Sequence, residues 1–293
     1  MNRLALMRCC ATAPVLEPYE AATDTLLAEL GMGVVELDFN CCGYPLRNSR
    51  FDAWLRSSAR NLALAERADL DLVTVCACCY GSLKQADHLM RTDAALRHET
   101  NGAMAGERLR CSGSARVRHL LEVLRDDVGV ERLRERRRRT FAGLKVACHY
   151  GCHLLRPSAV VGFDDPACPS VLDALVEATG AESVPWTAKL DCCGSPVSGV
   201  NDDLAAHLGE LKLRSAREAG ADVLCVVCPW CWLQLERVRV AAAARGDDAI
   251  PIVLVHQLLG LSLGITPEAL GMAPEQPPLP ERQAAPGPGA RHG

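Results

Sequence analysis

The sequence predicts an α/β protein made of two tandem repeats, each a small parallel sheet flanked by helices. Short apolar runs alternate with longer helical patterns, as expected for parallel strands joined by helical crossovers. The motif Asn40-Cys41-Cys42-Gly43 returns as Asp191-Cys192-Cys193-Gly194, and each copy is followed by Cys-x-x-Cys. Cys192 lies 151 positions after Cys41, and Cys228 lies 152 positions after Cys76, so the copies are nearly in register. We expect the two repeats to be related by a pseudo-two-fold symmetry.

The composition is that of a globular protein with ample material for a core. The chain has 293 residues, 49% of them apolar, which suffices for one large domain or two ordinary ones. No apolar run reaches the roughly 18 to 20 residues of a membrane helix, and Arg3–Met7 is too short for a secretory signal. We therefore expect a cytoplasmic protein without a membrane span. A net charge of −4 and 4% aromatic residues argue against a nucleic-acid partner.

In the first half, cysteines follow the predicted strands. An apolar run at 4–7 leads to Cys9-Cys10, a strand at 34–38 leads to Cys41-Cys42-Gly43, and a strand at 70–75 leads to Cys76. Helical patterns cover 17–30, 51–68 and 80–90. Ligands of parallel sheets bind beyond the carboxyl ends of the strands, which is where Cys9 and Cys76 fall.

The second half repeats this order after a basic stretch. Residues 116–127 are predicted to be helical, and the stretch 130–139 ends in four arginines, which we take as the boundary. A strand at 144–147, helices at 170–179 and 202–219, and a strand at 223–227 follow. The domains are thus predicted at 1–139 and 140–266. Six prolines after residue 273 predict a disordered tail at 267–293.

Sixteen cysteines are the most unusual feature of the composition. Disulfide scaffolds are small secreted domains without much core, whereas this chain has core and no export signal, so we expect reduced thiols used for metal or redox chemistry. Each half has five clustered cysteines. They are Cys9, Cys41, Cys42, Cys76 and Cys79, then Cys152, Cys192, Cys193, Cys228 and Cys231. Four thiolates satisfy a zinc ion or an ordinary iron–sulfur cubane, so five with an adjacent pair favour an extended cluster.

These motifs resemble the duplicated cysteine-rich CCG domain, and the chain from about residue 4 to residue 263 is similar to the family of heterodisulfide reductase B subunits. The flanking residues share the likeness. They are Val75-Cys76-Ala77-Cys78-Cys79-Tyr80-Gly81-Ser82-Leu83-Lys84, His149-Tyr150-Gly151-Cys152-His153-Leu154-Leu155-Arg156-Pro157, Gly162-Phe163-Asp164-Asp165-Pro166 and Cys228-Pro229-Trp230-Cys231. The resemblance implies two non-cubane [4Fe-4S] clusters, one per half, facing a shared cavity where a disulfide is split or formed. It assigns the ten clustered cysteines as their ligands.

The sequence departs from the family pattern at three places. Arg8 replaces the glycine that usually precedes the first ligand, and Cys10 follows at once, so Cys9 is chosen over Cys10 by spacing alone. Cys78 stands inside the first Cys-x-x-Cys, where the family has a small or polar residue. The stretch 195–199 is poorer in glycine than usual, which we expect to reshape the cavity.

Few residues outside the ten cysteines are candidates for the site. His153, next to Cys152, is the candidate proton donor, and helix capping is its alternative role. Arg156 and Lys84 are candidates for binding an anionic substrate, or are simply solvated. Trp230 is expected to shield a cluster from water. The remaining cysteines, apart from Cys10 and Cys78, are expected to be buried and unligated: Cys111, Cys148, Cys168 and Cys225.

The leading hypothesis is the catalytic subunit of a heterodisulfide-reductase-like complex, an oxidoreductase acting on sulfur. Cleaving a disulfide takes two electrons and an iron–sulfur cluster commonly passes one, so two clusters match the count. No Gly-x-Gly-x-x-Gly follows a strand, so electrons must come from another polypeptide. The resemblance implies a ferredoxin-like C subunit and a flavin-bearing A subunit. Two alternatives stay open: an electron-transfer subunit of a quinone-linked or other anaerobic dehydrogenase, and a zinc-stabilised binding module.

Overall fold

The fold consists of two units, each with its own parallel sheet. The computed structural model describes residues 3–10, 17–247, 250–272 and 279. The first sheet contains strands β1 to β4 in the order β2-β1-β3-β4. These strands span Arg3–Met7, Gly33–Val35, Leu72–Thr74 and Val117–His119. All neighbours are parallel, and the last residue of β1, Met7, is aligned with Thr74 of β3.

The second sheet has the same topology. Its strands β5 to β8 run in the order β6-β5-β7-β8, again with parallel neighbours. They span Lys145–His149, Glu182–Val184, Val223–Val226 and Ile252–Leu254. Here His149, the last residue of β5, is aligned with Val226 of β7. The prediction of an α/β fold with two small parallel sheets is therefore confirmed, whereas the pseudo-two-fold symmetry stays a prediction.

Helices connect and flank the strands in both units. Helices α1 to α6 span Glu17–Glu29, Phe51–Ala68, Ala77–Thr92, Ala94–Ala103, Leu120–Val123 and Val130–Glu135. Helices α7 to α12 span Cys152–Leu155, Ser158–Val161, Val171–Ala178, Asp202–Glu218, Pro229–Ala244 and Val255–Ser262. No helix within the described ranges is both long and apolar enough to cross a bilayer.

The segment 116–127, predicted as one helix, contains a strand and two helical pieces. Val117–His119 extends the first sheet as β4, and a π-helix at Leu124–Gly129 follows α5. The strand is buried because Arg118 is neutralised by Asp127, with nitrogen–oxygen distances of 2.8 Å. The His119 imidazole then caps α5 by accepting a hydrogen bond from the Leu121 amide.

The arginine run between the units is bound to protein groups. Arg136 and Arg138 both reach the carboxylate of Glu29 in α1, at 3.2 and 3.3 Å. The amides of Arg138 and Arg139 donate to the carbonyl of Ser262 at the end of α12. The stretch thus fastens the first unit to the second, and these contacts give it a structural role that a solvated boundary helix lacks.

Ordered structure continues into the region predicted as a tail. A 3-10 turn at Glu268–Leu270 buries Leu270 against Gly260 of α12. The Gln257 side chain also donates to the Leu270 carbonyl, at 3.3 Å. Apart from Leu279, the proline-rich stretch from residue 273 onward lies outside the described residues.

The two units meet where their central strands end. The hydroxyl of Tyr19 in α1 reaches the carbonyl oxygens of Val75 and Val227, at 2.6 and 3.2 Å. These carbonyls directly precede Cys76 and Cys228. One continuous core of buried apolar side chains runs through both units. The carboxyl ends of β3 and β7 are therefore held side by side, which is where the site is built.

Candidate metal centre

Helix starts position the two Cys-x-x-Cys pairs. Cys76 is the N-cap of α3 and Cys228 is the N-cap of α11, each with extended backbone. Their carbonyl oxygens accept the first helical bonds, from the Tyr80 and Trp232 amides at 2.9 Å. Cys79 and Cys231 follow within the first turn of these helices. The positive end of a helix favours the thiolate form of cysteine, which is the metal-binding form. All four sulfurs therefore lie at helix ends that suit a metal. Among the bare thiols, hydrogen bonds from Cys231 and Cys76 lower the pKa of Cys228, whereas burial raises that of Cys76.

Glycine makes the turn after each adjacent pair possible. Gly43 and Gly194 have φ of 77° and 90°, the left-handed region that side chains rarely adopt. A Cβ on Gly43 would lie 3.1 Å from the backbone of Trp54 in α2, and a Cβ on Gly194 would collide with the Ala205 carbonyl oxygen in α10. The glycine amides donate to the sulfurs of Cys41 and Cys192, both at 3.4 Å. Close helix packing therefore fixes the direction of both pairs.

The first set of cysteines forms one connected group. The sulfurs of Cys9, Cys76 and Cys79 lie within 4.8 Å of one another. Cys42 shares a hydrogen bond with Cys79 and another with Cys41. The structure therefore brings together the five first-half cysteines predicted from the sequence.

The second set is connected in the same manner. Cys152 shares a hydrogen bond with Cys192, which in turn bonds to its neighbour Cys193. Cys193 bonds to Cys231, and Cys231 bonds to Cys228. All five second-half cysteines are thus also brought together.

Crowding of the thiols changes their acidity. Hydrogen bonds from Cys10 and Cys42 lower the pKa of Cys41 to about 3, and bonds from Cys152 and Cys193 lower that of Cys192 to about 2. Their partners shift the other way: bonding to Cys41 and burial raise the pKa of Cys42. Neighbouring thiolates repel one another, so a full set of ionised sulfurs needs a cation among them. The donor set therefore fits a multinuclear metal group better than it fits bare thiols.

Both Cys9 and Cys10 reach the first set, by different contacts. Cys9 is buried against Cys76 and Cys79, whereas the exposed Cys10 bonds to Cys41. Sheet register matches Cys10 with Cys152, because each lies three residues after the strand ends that align with β3 and β7. The choice of Cys9 from spacing stays a prediction. Arg8, in place of the family glycine, is engaged with Asp24 and Glu36.

The two sets meet at a shared cavity of about 330 Å³. Cys76 of the first set and Cys228 of the second set share a hydrogen bond, and the sulfur of Cys78 lies within 4.8 Å of both. The walls also carry aromatic and cationic side chains. They include Tyr44, Arg47, His153 and Trp230. Trp230 therefore lines the cavity, as a shielding role requires.

His153 faces this cavity. Its Nδ1 lies 3.5 Å from the sulfur of Cys152 and 3.7 Å from that of Cys78. The edge of the imidazole packs against the Tyr44 ring, with centroids 4.7 Å apart. Burial lowers the pKa of His153. Gly151 is the N-cap of α7, so His153 is not its cap.

Two buried residues near the second set were missed by the sequence analysis. His149 lies within 4.8 Å of the sulfurs of Cys193 and Cys231, and its Nε2 has no hydrogen-bond partner. Lys212 in α10 is 1% exposed, and its ammonium donates to the Ala188 carbonyl. Burial lowers the pKa of Lys212 to about 8, opposed by the charges of Cys231 and Cys193. A lysine within a helical pattern gives no sequence signal of burial.

The remaining candidates lie away from the cavity walls. Arg156 is exposed and donates to the Leu190 carbonyl at 3.4 Å, and the Lys84 ammonium lies 5.7 Å from the centre of the Tyr80 ring. Among the residues that the structure describes, Arg47 rather than either of these is the basic side chain that lines the cavity. Three of the four cysteines expected to be buried are so, namely Cys111, Cys148 and Cys225. Cys168 is exposed, so that expectation is wrong for it.

A domain family and several individual proteins match the chain. The CCG cysteine-rich domain matches residues 5–84 and 146–236. The B subunit of the Ferredoxin/F420H2-dependent CoB-CoM heterodisulfide reductase of Methanosarcina acetivorans is 38% identical over 280 residues, 93% of each chain. A protein of Archaeoglobus profundus described as like the heterodisulfide reductase B subunit is 36% identical over 221 residues, 73% of this chain and 74% of its own.

A relative from a different complex is also similar. The 8-methylmenaquinol:fumarate reductase membrane anchor subunit of Wolinella succinogenes is 30% identical over 273 residues, 90% of this chain and 93% of its own. Among solved structures, a hypothetical protein from Helicobacter pylori superposes with a TM-score of 0.74 at 16% identity, over 92% of this chain and 51% of that chain. That likeness shows a shared fold.

Proposed function

The chain belongs to the family of heterodisulfide reductase B subunits, and we propose that it is an iron–sulfur oxidoreductase subunit that interconverts a disulfide and two thiols. The observation that carries the proposal is that two five-cysteine sets face one cavity. A disulfide needs two electrons, so a substrate held between two one-electron sites can take both without a stable radical.

In this proposal each set holds one non-cubane [4Fe-4S] cluster. Cys9, Cys41, Cys42, Cys76 and Cys79 are the ligands of the first, and Cys152, Cys192, Cys193, Cys228 and Cys231 are those of the second. Five thiolates exceed what a zinc ion or a cubane takes, and the adjacent pair suits neighbouring irons. When bound, the clusters supply one-electron transfer.

The surrounding side chains have the roles of binding and protonation. His153 is the proposed proton donor, because its Nδ1 faces the cavity 3.5 Å from the Cys152 sulfur. Arg47 is stacked over the Tyr44 ring at 5.4 Å and is the cavity cation suited to an anionic substrate. Trp230 limits the access of water.

Partner subunits deliver the electrons in this proposal. Each half uses its five cysteines in a single site, which leaves no ferredoxin-type cysteine run in the sequence. We propose a ferredoxin-like C subunit and a flavin-bearing A subunit as partners. A cytoplasmic location, where thiols stay reduced, is part of the same proposal.

The test is anaerobic purification followed by metal and activity measurements. We expect iron and sulfide for two four-iron clusters and a coloured protein that reduces a disulfide with a low-potential dye. A colourless protein with zinc would contradict the proposal. Disulfides that differ in charge should be compared, since Arg47 favours anionic ones.

An electron-transfer subunit is the second candidate, favoured by the similarity to the fumarate reductase subunit of Wolinella succinogenes. Both candidates require iron. They differ in the response to thiols: substrate thiols perturb the spectrum of the oxidised protein only when the cavity binds them. If the iron-loaded protein reduced no disulfide and its spectrum did not change when thiols were added, the result would favour a role in electron transfer alone.

A further inference from the structure

The connection between α3 and β4 carries structure that its counterpart in the second unit lacks. Residues 93–116 contain α4 and a 3-10 turn at Ala105–Glu107, whereas only residues 245–251 connect α11 to β8. The longer connection packs on α2 and α3. It contributes no residue to either cysteine set, so it is an addition to the repeat that the metal centre does not explain.

This connection forms a cleft of about 540 Å³ with basic walls. No carboxylate lines the cleft in the described part of the chain. We call it the basic cleft, because its charged and titratable lining residues are Arg97, His98, Arg108 and Arg110. The whole chain has a net charge of −4, so the cleft concentrates positive charge on an acidic protein.

The acidic side chains of the same connection do not neutralise the cleft. Glu107 accepts a hydrogen bond from Nε of Arg60 in α2, at 2.6 Å. Asp93 caps α4 by accepting from the Leu96 amide, at 2.9 Å. Glu99 is exposed and does not line the cleft. The positive charge of the basic cleft is therefore available to an anion from outside the chain.

The backbone that carries two of the arginines is fixed. The Asn101 side chain in α4 bonds to the amide and the carbonyl of Cys111, at 2.9 and 3.0 Å. Leu109 is buried between Arg108 and Arg110 in the sequence. Arg108 has a φ of 53°, a left-handed conformation that residues with a side chain rarely adopt and that recurs at ligand clamps. The cleft is therefore preorganised.

Three arginines in one cleft favour a ligand with several anionic oxygens. A guanidinium binds phosphate oxygens through a planar fork of donors. Arg97 is already oriented, because it donates to the Met90 carbonyl at 2.7 Å. The cleft volume falls within the range of about 300 to 1,000 Å³ that is typical of small-molecule sites, and one phosphate would fill only a part of it. A diphosphate has enough oxygens and charge for all three arginines.

We propose that the basic cleft binds the diphosphate group of a small molecule. The cleft shares no lining residue with the cavity between the cysteine sets, so this inference does not rest on the proposed function. In the described part of the chain His98 is the one lining residue with an aromatic ring, which gives a nucleobase little to stack on. Inorganic pyrophosphate and a nucleoside diphosphate should therefore bind with similar affinity.

Equilibrium dialysis of the iron-loaded full chain against radiolabelled inorganic pyrophosphate tests the proposal, under anaerobic conditions at low salt. We expect one pyrophosphate per chain. Unlabelled ADP should displace the label at a similar concentration, inorganic phosphate only at about tenfold higher concentration, and adenosine not at all. Iron analysis of the dialysed protein checks that pyrophosphate has not removed metal.

Two variants and a matched control connect the binding to the cleft. Arg110→Gln should weaken binding about tenfold, because it removes a charged hydrogen-bond donor. Arg108→Gly should weaken binding as much while its thermal midpoint stays the same or rises, since glycine suits the left-handed backbone. Arg67→Gln removes an exposed arginine of α2 that does not line the cleft, and it should bind like the unmodified protein.

Three results would overturn the proposal. The first is that neither pyrophosphate nor ADP binds. The second is that all variants bind alike, which would indicate an adventitious ion only. The third is that a hexaglutamate peptide displaces the label at a lower concentration than ADP does, which would make the cleft a surface for an acidic polypeptide. If Arg108→Gly does not fold, the affinity of Arg110→Gln decides.

Discussion

The two cysteine sets have the same turns and strand ends but different surroundings. His149 ends β5 beside the second set, whereas Met7 occupies the matching end of β1. Lys212 lies 151 positions after Asn61, the same interval that separates Cys192 from Cys41. Lys212 brings a buried ammonium to the second set, whereas Asn61 offers a neutral amide that holds the backbone of residue 40 at 2.9 and 3.0 Å. Duplication has kept the sulfurs and changed the charges around them.

This difference teaches that equivalent ligands do not make equivalent sites. Positive charge and hydrogen-bond donors near an iron–sulfur site stabilise its reduced, more negative state. The second site is therefore expected to have the higher reduction potential and to hold an electron first. The predictions below are arranged around this inequality, beginning with the largest effect.

Removing one thiol from each set is the strongest way to separate the sites. We expect Cys42→Ser to lose the iron of the first unit and Cys193→Ser to lose that of the second, because each sulfur is bonded within its own set. Iron and sulfide analysis of the purified variants measures this, with Cys168→Ser as the control. Complete loss of iron in both variants would mean that the sets form a single centre.

The two sites can differ in this way only while the two units stay packed together. Acid should lower the stability of that folded arrangement. Burial lowers the pKa of His119 to about 4 and that of His256 to about 3, against about 6.5 in an unfolded chain. The unfolded chain therefore binds protons first as the pH falls. Stability should be complete above about pH 6.5 and decline toward pH 4 by about 1.4 kcal/mol per histidine for each pH unit.

Thermal midpoints between pH 7.5 and pH 5 check this expectation. His256→Gln should flatten the profile, because it removes a buried ring packed against Tyr19 of the other unit. His207→Gln changes an exposed histidine and should leave the slope as it is. Equal slopes in all three proteins would show that these rings do not govern acid stability.

Replacing Lys212 tests the inequality directly. Lys212→Met removes the buried ammonium, so the reduction potential of the second site should fall by about 60 mV, the equivalent of about 1.4 kcal/mol for one electron. Redox titration followed by electron paramagnetic resonance measures the shift. Lys84→Met, a change to a half-buried cation of the first unit, is the control. If the reduction potential of the first site fell instead, Lys212 would act on the first site and not on the second.

Replacing His149 should produce a smaller shift at the same site, in the opposite direction. His149→Met installs the side chain found at the end of β1 and removes a neutral ring whose Nδ1 donates to the Lys189 carbonyl at 3.4 Å, so its Nε2 holds only a lone pair beside the sulfurs of Cys193 and Cys231. A lone pair near the site disfavours its reduced, more negative state, and a neutral dipole contributes less than a charge, so we expect an increase on the order of tens of millivolts. The potentials of the two sites should move further apart. No shift in the redox titration would exclude an influence of the His149 ring on the second site.

Much of this architecture follows from the sequence because strong local patterns encode it. Phe51–Ala68 is predicted with its observed bounds, since its apolar side chains recur at helical spacing and form one buried face. The edge strands β4, β6 and β8 are missed. Each has only three residues, which carry too little periodicity, and their pairing with β3, β5 and β7 is decided by tertiary contacts.

The residues of the site also fall into two classes, those that local sequence predicts and those that contacts between distant segments decide. Spacing alone predicts the two groups of cysteines that the structure brings together, because the turns at Gly43 and Gly194 and the caps at Cys76 and Cys228 are local structures. Lys212 is not foreseeable, since its burial depends on the carbonyl of Ala188 from a distant segment. Exposure of Cys168 likewise depends on how the loop before α9 lies on the surface.

The contact of Tyr19 with both units limits how alike the repeats can be. A phenol has one proton to donate, and the Tyr19 oxygen lies 2.6 Å from the Val75 carbonyl oxygen and 3.2 Å from that of Val227. The strand end of the first unit therefore receives the stronger hydrogen bond, and that of the second unit receives the weaker one. The Cys-x-x-Cys segments that follow these two carbonyls are consequently anchored unequally, even where their sequences match.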